Sequence, residues 1–493
     1  MTGSGDRMTK MIEDGAITRD NIKTDSREVG TGDVFVALKG TVRDGHDLVG
    51  EAADRGASAV IVQRHVPVPR GCRMIEVENT RKALGRMASL LYGDPSRRLN
   101  VTGVTGTNGK TTTVFLIDHV LNHTGRTSGF LSTVSIKTGT DRVERAAMTT
   151  PDSLTVNRAL GRMADNGLSH AVVEVSSHAL SQERIAGIEL DAAVFTNLSP
   201  EHLDYHCNMD DYFLQKKKIF SYLKPGGKAV LNIDDKRLAD LSGELEAPCI
   251  VTFGIEAGAD LRAENMELGA GGSEFDLCDA GGARARVRTT LTGLHNVYNI
   301  LGAAAALRGD NMDIDTLAGS FGSVCHVPGR LEAVASTAPF RVFVDYAHTP
   351  DALRKVLECL RPLAGGKLIC VFGCGGDRDK GKRPLMGRTA CELCDDVLIT
   401  DDNPRTEPPG AIIEDIKKGV SGNDNYSIIR DRAGAIRRAI ELAGPEDIVV
   451  IAGKGHENYQ IRGDVITDFC DFSVAGSVLE DLGYRIEGER RTI

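Results

Sequence analysis

Residues 98–113, Arg98-Leu99-Asn100-Val101-Thr102-Gly103-Val104-Thr105-Gly106-Thr107-Asn108-Gly109-Lys110-Thr111-Thr112-Thr113, leave the chain few folds to choose from. A β-branched run ends in a loop with glycines at 103, 106 and 109. Lys110 and Thr111 follow, and Val114, Ile117 and Leu121 then recur at helical spacing up to a stop signal at Gly125. In a strand, glycine loop and helix of this kind, backbone N–H groups crowd onto phosphates and the helix N-terminus adds partial positive charge. The lysine adds a full charge, and the threonine hydroxyl can ligate Mg²⁺. The strict spacing wants a glycine where Val104 stands, and Gly103 comes one place early. An ordinary tight turn is the alternative, but the Gly-Lys-Thr ending in this context points to an ATP site.

At 493 residues the chain has room for about three domains. Its 41% apolar and 26% charged residues suit a globular protein. A net charge of −10 argues against nucleic acid or an anionic membrane as the main partner, and still allows a local basic pocket around an anionic substrate. The first fifteen residues include Asp6, Arg7, Lys10, Glu13 and Asp14 and hold no apolar signal-peptide core. No apolar run reaches membrane length, so a cytoplasmic location without membrane insertion is expected. The eleven cysteines are irregularly placed, and Cys249 and Cys370, in apolar stretches, read as reduced core residues. Cys391 and Cys394 form a lone C-x-x-C, with no second pair to make a zinc site.

Three α/β domains are expected, at 1–97, 98–327 and 328–493. In the first, 33–38 and 57–62 read as buried strands and 80–92 as a helix. In the second, the strand-like segments 170–175 and 192–196 alternate with helical patterns at 153–166, 177–186 and 209–223. That alternation predicts a mostly parallel sheet between helices around the phosphate loop. The glycine-rich stretch 249–290 reads as an antiparallel accessory sheet and 296–309 as a helix. Past Cys325-His326-Val327-Pro328-Gly329-Arg330, strands at 341–345, 367–372, 396–400 and 447–452 alternate with helices at 351–363, 410–419 and 432–443. This is a doubly wound, Rossmann-like pattern, which binds ligands past its strand C-termini.

Three features carry chemistry. Glu174 ends an apolar strand beside the phosphate loop, as a Mg²⁺ ligand would, although a satisfied strand-edge carboxylate fits as well. Polar groups cluster past the next strand, in Thr196-Asn197-Leu198-Ser199-Pro200-Glu201-His202-Leu203-Asp204-Tyr205-His206, and His202 comes first among the histidines. In the helix that follows, Tyr212, Phe213, Ile219 and Phe220 define an apolar stripe, and of the three consecutive lysines only Lys216 falls on it. A lysine facing inward loses its proton readily and becomes nucleophilic, so it can take up CO₂ as a metal-binding carbamate. A snorkelling or carboxylate-paired lysine is the plainer alternative.

At these residues the chain resembles the Mur ligases, ATP-dependent amide-forming enzymes of peptidoglycan synthesis, over nearly its whole length. It looks closest to members that add the third residue to UDP-MurNAc-L-Ala-D-Glu. The resemblance implies that Gly106, Thr107, Asn108, Gly109, Lys110, Thr111 and Thr112 form the ATP loop. It implies that Glu174, His202 and Lys216, the last as N6-carboxylysine, hold Mg²⁺ with Thr111. By the same match, Asn296, Arg330, Asp345 and His348 hold the nucleotide and Thr24 and Ser26 the uridine. Thr149, Thr150, Ser176, Gln182 and Arg184 match contacts to the muramoyl-peptide; Met148 stands where some relatives carry Asn. Asp402, Asn403, Pro404 and Arg405 match a motif that accompanies meso-diaminopimelate, whose distal carboxylate a guanidinium can grip with paired hydrogen bonds. Arg378, Gly453 and Glu457 match the other amino-acid contacts, Glu457 facing the distal ammonium. The implied reaction passes through an acyl phosphate, in a monomer. The alternatives are L-lysine as the amine or a folylpolyglutamate synthase-like ligase; the loop alone would also allow a kinase, a switch NTPase or an ATP-gated scaffold.

Overall fold

The computed structural model describes residues 3–487, apart from 41–42, 140–142, 147, 248, 257, 310–311 and 325. Cys325, in the segment expected to mark the second boundary, thus lies outside the described residues. The chain divides into two compact units. One comprises Met1–Arg262, Asp279–Ala283 and Tyr298–Leu317; the other comprises Ala263–Cys278, Arg284–Val297 and Ala318–Ile493.

The first unit contains two sheets. Near the N-terminus the strands Ile22–Lys23, Val34–Val36, Ala59–Val62 and Arg73–Glu76 lie side by side, all parallel. Side chains alternate across this sheet at period two: Val34 and Val36 join one core with Leu84, and Phe35 joins another with Val60 and Val62. The helix Thr80–Leu91 covers the first of these cores, and Asn79 caps it through the amides of Arg81 and Lys82.

The larger sheet has the parallel order Cys249–Gly254, Leu223–Asn232, Leu190–Phe195, Asn100–Thr105, His170–Glu174, Ser128–Leu131. The short antiparallel strands Ser135–Lys137 and Val143–Arg145 follow at one edge. The phosphate-loop strand is central: Thr105 pairs with Phe195 on one side and Val104 with Glu174 on the other. Glu174, the loop starting at Gly106, and Thr196 therefore leave the sheet together at the strand C-termini.

Four expectations are corrected here. Cys249–Gly254 is not part of an antiparallel accessory sheet. It runs parallel to Leu223–Asn232, because the helix Lys236–Glu244 between them supplies the crossover that parallel strands require. Further along, Gly272–Asp279 pairs antiparallel with Arg284–Thr289. Cys249 itself is exposed rather than in the core, whereas Cys370 is buried; both are free thiols. The helix at 177 ends at Ser181, where Glu183 takes a positive φ of 53° and Gly187 one of 81°. The helix starting at 209 is α only to Lys217 and continues as a 3₁₀ turn, Lys218–Tyr222.

In the second unit the strands Arg341–Asp345, Ile448–Ala452, Leu368–Phe372, Asp396–Ile399 and Tyr426–Ile428 form a parallel sheet. The short antiparallel strand Glu332–Ala333 flanks it. Leu353, Leu357, Met386 and Ile416 pack on one face, and Ala435, Ile436, Ala475 and Leu479 on the other, so the sheet is wound on both sides. Cys391 and Cys394 are buried free thiols on the first face. No helix among the described residues is long and apolar enough to cross a membrane.

Candidate active site

The phosphate loop is held open by close packing. A Cβ on Gly106 would lie 1.9 Å from Thr196 Oγ1, and one on Gly109 2.1 Å from Asn299 Oδ1. Both glycines have positive φ. The Asn108 amide donates to Asn197 Oδ1 (3.0 Å), and Thr107 Oγ1 lies 3.2 Å from the buried Tyr212 hydroxyl. The loop leads into the helix Lys110–His123, whose first amides have no partner within the helix and point at the loop.

Two lysines converge on one carbonyl. Lys110 Nζ donates to Gly106 O (3.0 Å) and Thr107 O (2.8 Å), and Lys216 Nζ donates to Gly106 O (2.5 Å). Lys216 is 1% exposed, and its Nζ lies 4.6 Å above the Tyr212 ring. Burial first, then the charge of Lys110, hold its pKa well below the ordinary lysine range. Of its neighbours, Lys217 is half-buried and Lys218 exposed, as the stripe of Tyr212 and Ile219 requires. The side chain that helical spacing singled out is thus a desolvated amine beside the phosphate loop.

Glu174, 1% exposed, faces the same place. Its two oxygens accept from Thr111 Oγ1 (3.1 Å each), from the Thr133 amide (2.8 Å) and from Thr133 Oγ1 (3.0 Å). Thr111 and Glu174 therefore present hard oxygen donors side by side, the donor type Mg²⁺ takes. His202, at a positive φ of 55°, is half exposed and packs edge-on against His178, with 4.8 Å between centroids. Burial, opposed by Glu201 and aided by Lys110 and Lys216, pulls its pKa below the ordinary histidine value. Among the described residues no three His, Cys, Asp or Glu side chains gather as a metal-binding group. Of the expected metal ligands, Thr111 and Glu174 meet directly, and Lys216 reaches the loop.

A wall of polar side chains runs from Glu174. Thr150 Oγ1 donates to Glu174 O (2.7 Å) and accepts from the Ser176 amide. Thr149 Oγ1 accepts from Thr133 Oγ1 (3.0 Å). Arg184 donates to Thr150 O (2.7 Å) and twice to Gln182 Oε1 (3.2 and 2.9 Å), and Gln182 donates to the Tyr205 hydroxyl (3.2 Å). Ser176 caps the helix Ser177–Ser181 through the Ala179 amide. Met148 is exposed and lies against Arg184 through its sulfur. Thr24 is exposed and Ser26 buried, just past the edge strand Ile22–Lys23; among the described residues no hydrogen bond joins either to this wall.

In the second unit Arg330 lies over the Tyr346 ring (5.0 Å), which also packs against His348 (4.5 Å) and His456 (4.9 Å). Buried Asp345 accepts from the amides of Leu331 and Ala347, 2.8 Å each. Burial raises its pKa, opposed by Arg330. Asn296 is buried and donates to Thr292 O (2.9 Å). Around the other expected cluster, Asn403 Nδ2 and the buried Lys454 ammonium both donate to Glu457 Oε2 (2.8 and 3.0 Å). Asp402 Oδ2 would lie 3.0 Å from a Cβ on Gly453. Arg405, half-buried at a φ of 53°, donates Nη1 to Gly376 O (2.8 Å), and the rest of its fork makes no hydrogen bond among the described residues. Arg378 is exposed and donates to Asp377 O (2.9 Å).

Three family models match the chain in order: "Mur ligase family, catalytic domain" at 19–92, "Mur ligase middle domain" at 104–307, and "Mur ligase, glutamate ligase domain" at 329–455. The chain is 43% identical to the UDP-N-acetylmuramoyl-L-alanyl-D-glutamate–2,6-diaminopimelate ligase of Geobacillus kaustophilus, across 94% of this chain and 95% of that one. It belongs to the Mur ligase family. The ligase of the same name from Halalkalibacterium halodurans is 42% identical over 96% of each chain. A solved structure of a ligase so named matches at TM-score 0.67 and 33% identity, covering 94% of this chain and 95% of that one. A MurF ligase from Thermotoga maritima solved with ADP, at TM-score 0.59 and 21% identity over 94% of this chain and 97% of that one, shares the fold.

Several residues of this Mur ligase's site went unnoticed in the sequence. Thr133 bonds Glu174 through both amide and hydroxyl, yet a lone threonine after a short strand carries no signal. Tyr205 and Tyr212 stand in the sequence only as members of the polar cluster and the apolar stripe, with no signal of their contacts to Gln182 and Thr107. Lys454 could have been found: a lysine between Gly453 and Gly455, just past a buried strand and three residues before Glu457, repeats the logic of the phosphate loop.

Proposed function

We propose that this ligase joins meso-2,6-diaminopimelate to the D-glutamyl side-chain carboxyl group of UDP-MurNAc-L-Ala-D-Glu, spending ATP to ADP and phosphate. The observation that carries the reading is the convergence of Lys110, Lys216, Thr111 and Glu174 on the end of the phosphate loop. Positive charge and hard oxygen donors meet there, where a γ-phosphate seated on the first amides of Lys110–His123 would receive a carboxylate. The substrate carboxylate oxygen attacks the γ-phosphorus, the bond to ADP breaks, and an acyl phosphate results. The diaminopimelate amine then attacks the acyl carbon, loses a proton, and phosphate leaves with one former carboxylate oxygen. Lys110 neutralises charge building on the transferred group.

Thr111 and Glu174 fit Mg²⁺ by donor type, and His202 and carbamylated Lys216 complete the proposed set. The ion, when bound, supplies further charge neutralisation at the phosphates. A Lys216 amine that has shed its proton takes up CO₂ with loss of a second proton, which sets a carbamate anion beside the Lys110 cation. Asn296, Arg330, Asp345 and His348 serve the nucleotide, Thr24 and Ser26 the uridine. Thr149, Thr150, Ser176, Gln182 and Arg184 serve the muramoyl-peptide. Arg405 grips the distal carboxylate of diaminopimelate with the free part of its fork, an ion pair L-lysine lacks. Arg378, Asp402, Asn403, Pro404, Gly453 and Glu457 shape that pocket. Glu457 arrives there already paired with Lys454, so the distal ammonium meets a shared carboxylate.

The test is a panel of amines offered with UDP-MurNAc-L-Ala-D-Glu and ATP, read by product mass. The diaminopimelate adduct is expected to dominate. A lysine adduct in excess would overturn the choice of amine, and no adduct at all would overturn the reaction.

A further inference from the structure

The helix Thr80–Leu91 of the N-terminal sheet meets the 183–189 turn backbone to backbone. A Cβ on Gly85 would lie 2.2 Å from Ala186 O, and one on Gly187 2.4 Å from Gly85 O. Arg81 lies four residues before Gly85, hence on the same helix face, and Arg184 lies two residues before Ala186. The seam therefore brings two guanidinium groups together, both half-buried. Arg81 is steered by one bond, Nη2 to Lys39 O at 2.8 Å. Arg184 is steered by Thr150 O and Gln182 Oε1. Neither forms an ion pair with a carboxylate among the described residues. Asp152, the acidic group that favours the Arg184 charge, spends its oxygens capping its own helix at Leu154 and Thr155. Burial and the charge of Arg81 both lower the Arg184 pKa, and burial lowers that of Arg81. Two crowded cations lacking an anion describe a receptor for one.

We propose that Arg81 joins Arg184 in gripping the free α-carboxylate of the substrate's terminal D-glutamyl residue, the carboxylate that does not react. The inference rests on the reaction proposed above. Position selects this anion over the diphosphate. Arg184 holds Thr150, Thr150 holds Glu174 O, and Thr149 and Glu174 share Thr133, so the guanidinium pair belongs to the end where the carboxyl group is activated. The diphosphate is separated from that end by the sugar, the lactyl ether and the alanyl residue. Two guanidiniums, one from the helix Thr80–Leu91 and one from the 183–189 turn, then make the enzyme read a free acid at this position and reject its amide.

The experiment compares UDP-MurNAc-L-Ala-D-Glu with its α-carboxamide, whose side-chain carboxyl group is intact, in wild type, Arg81→Ala and Arg81→Gln. Wild type is expected to show a KM roughly 10- to 100-fold lower for the acid. Each variant should raise KM for the acid by a similar factor while moving KM for the amide, KM for ATP and kcat by less than about threefold. An equal rise for acid and amide would overturn the proposal, since it would assign Arg81 to the diphosphate or to packing. An unchanged KM for the acid, or a wild type indifferent to the amide, would overturn it too. A wild type that turns over neither compound defeats the ligase reaction itself, which keeps the two failures apart.

Discussion

Replacing Lys216 by methionine should separate stability from activity. The native side chain places a nitrogen at 1% exposure, bonded to a carbonyl that Lys110 already satisfies. Methionine keeps the length and apolar stem and removes the buried amine. Replacing a buried charged group by an apolar one of similar volume gains about 1–4 kcal/mol, and losing the Gly106 bond returns about 1 kcal/mol of that. The free enzyme should therefore gain about 1–3 kcal/mol, or about 2–10 °C in apparent melting temperature. The gain has a defined pH dependence. Burial keeps the folded pKa below the ordinary 10.5, so between those two values the unfolded wild type binds the extra proton and wild-type stability climbs with pH. The variant's advantage is then full at low pH, shrinks as pH rises, and is gone above 10.5. Amide formation should fall at least about 10³-fold, and bicarbonate should raise the melting temperature of wild type only. Differential scanning fluorimetry from pH 6 upward and a coupled ATP assay read both effects. A variant that melts below wild type at pH 6, or an advantage that does not shrink with pH, would refute the reasoning. An active variant would remove the carbamate.

Further expectations follow from single contacts. Arg405→Leu should raise KM for diaminopimelate about 100-fold while leaving KM for ATP alone, in initial-rate kinetics, because the guanidinium fork is its means of gripping a carboxylate. Arg383, fully buried, bonds Glu407 and Asp415, and Glu407 in turn holds the Asp377 amide. Arg383→Met should cost about 3 kcal/mol, since the two carboxylates keep some access to water, measured as a lower melting temperature. His178 has its pKa pulled from 6.5 to about 4 by burial and by His202 and His206. Between those values the unfolded chain binds the extra proton, so stability should rise from about pH 4 to 6.5, and His178→Phe should flatten that rise in melting curves at pH 5 and 7.5.

Local pattern reached the parts of this site that lie within one stretch of chain. The phosphate loop is contiguous, and the inward turn of Lys216 follows from helical periodicity alone. Parallel strands announced themselves as short apolar runs, and Glu174 as a charge at the end of one. Pairings set by distant residues were not legible. The glycines of 249–290 suggest an antiparallel sheet, and the Lys236–Glu244 crossover that makes Cys249–Gly254 parallel lies outside that stretch. Thr133 acquires its role only when the strand before it, Ser128–Leu131, docks beside His170–Glu174. Arg81 lies 103 residues from Arg184, and the two meet only because Gly85 and Gly187 let two backbones touch.

Activation of the acid by phosphoryl transfer is the claim on which the rest stands, and isotope transfer measures it. With the D-glutamyl side-chain carboxyl group labelled in oxygen-18, each turnover should release phosphate carrying one labelled oxygen. Unlabelled phosphate, or ATP consumed at the same rate without the acid, would contradict it.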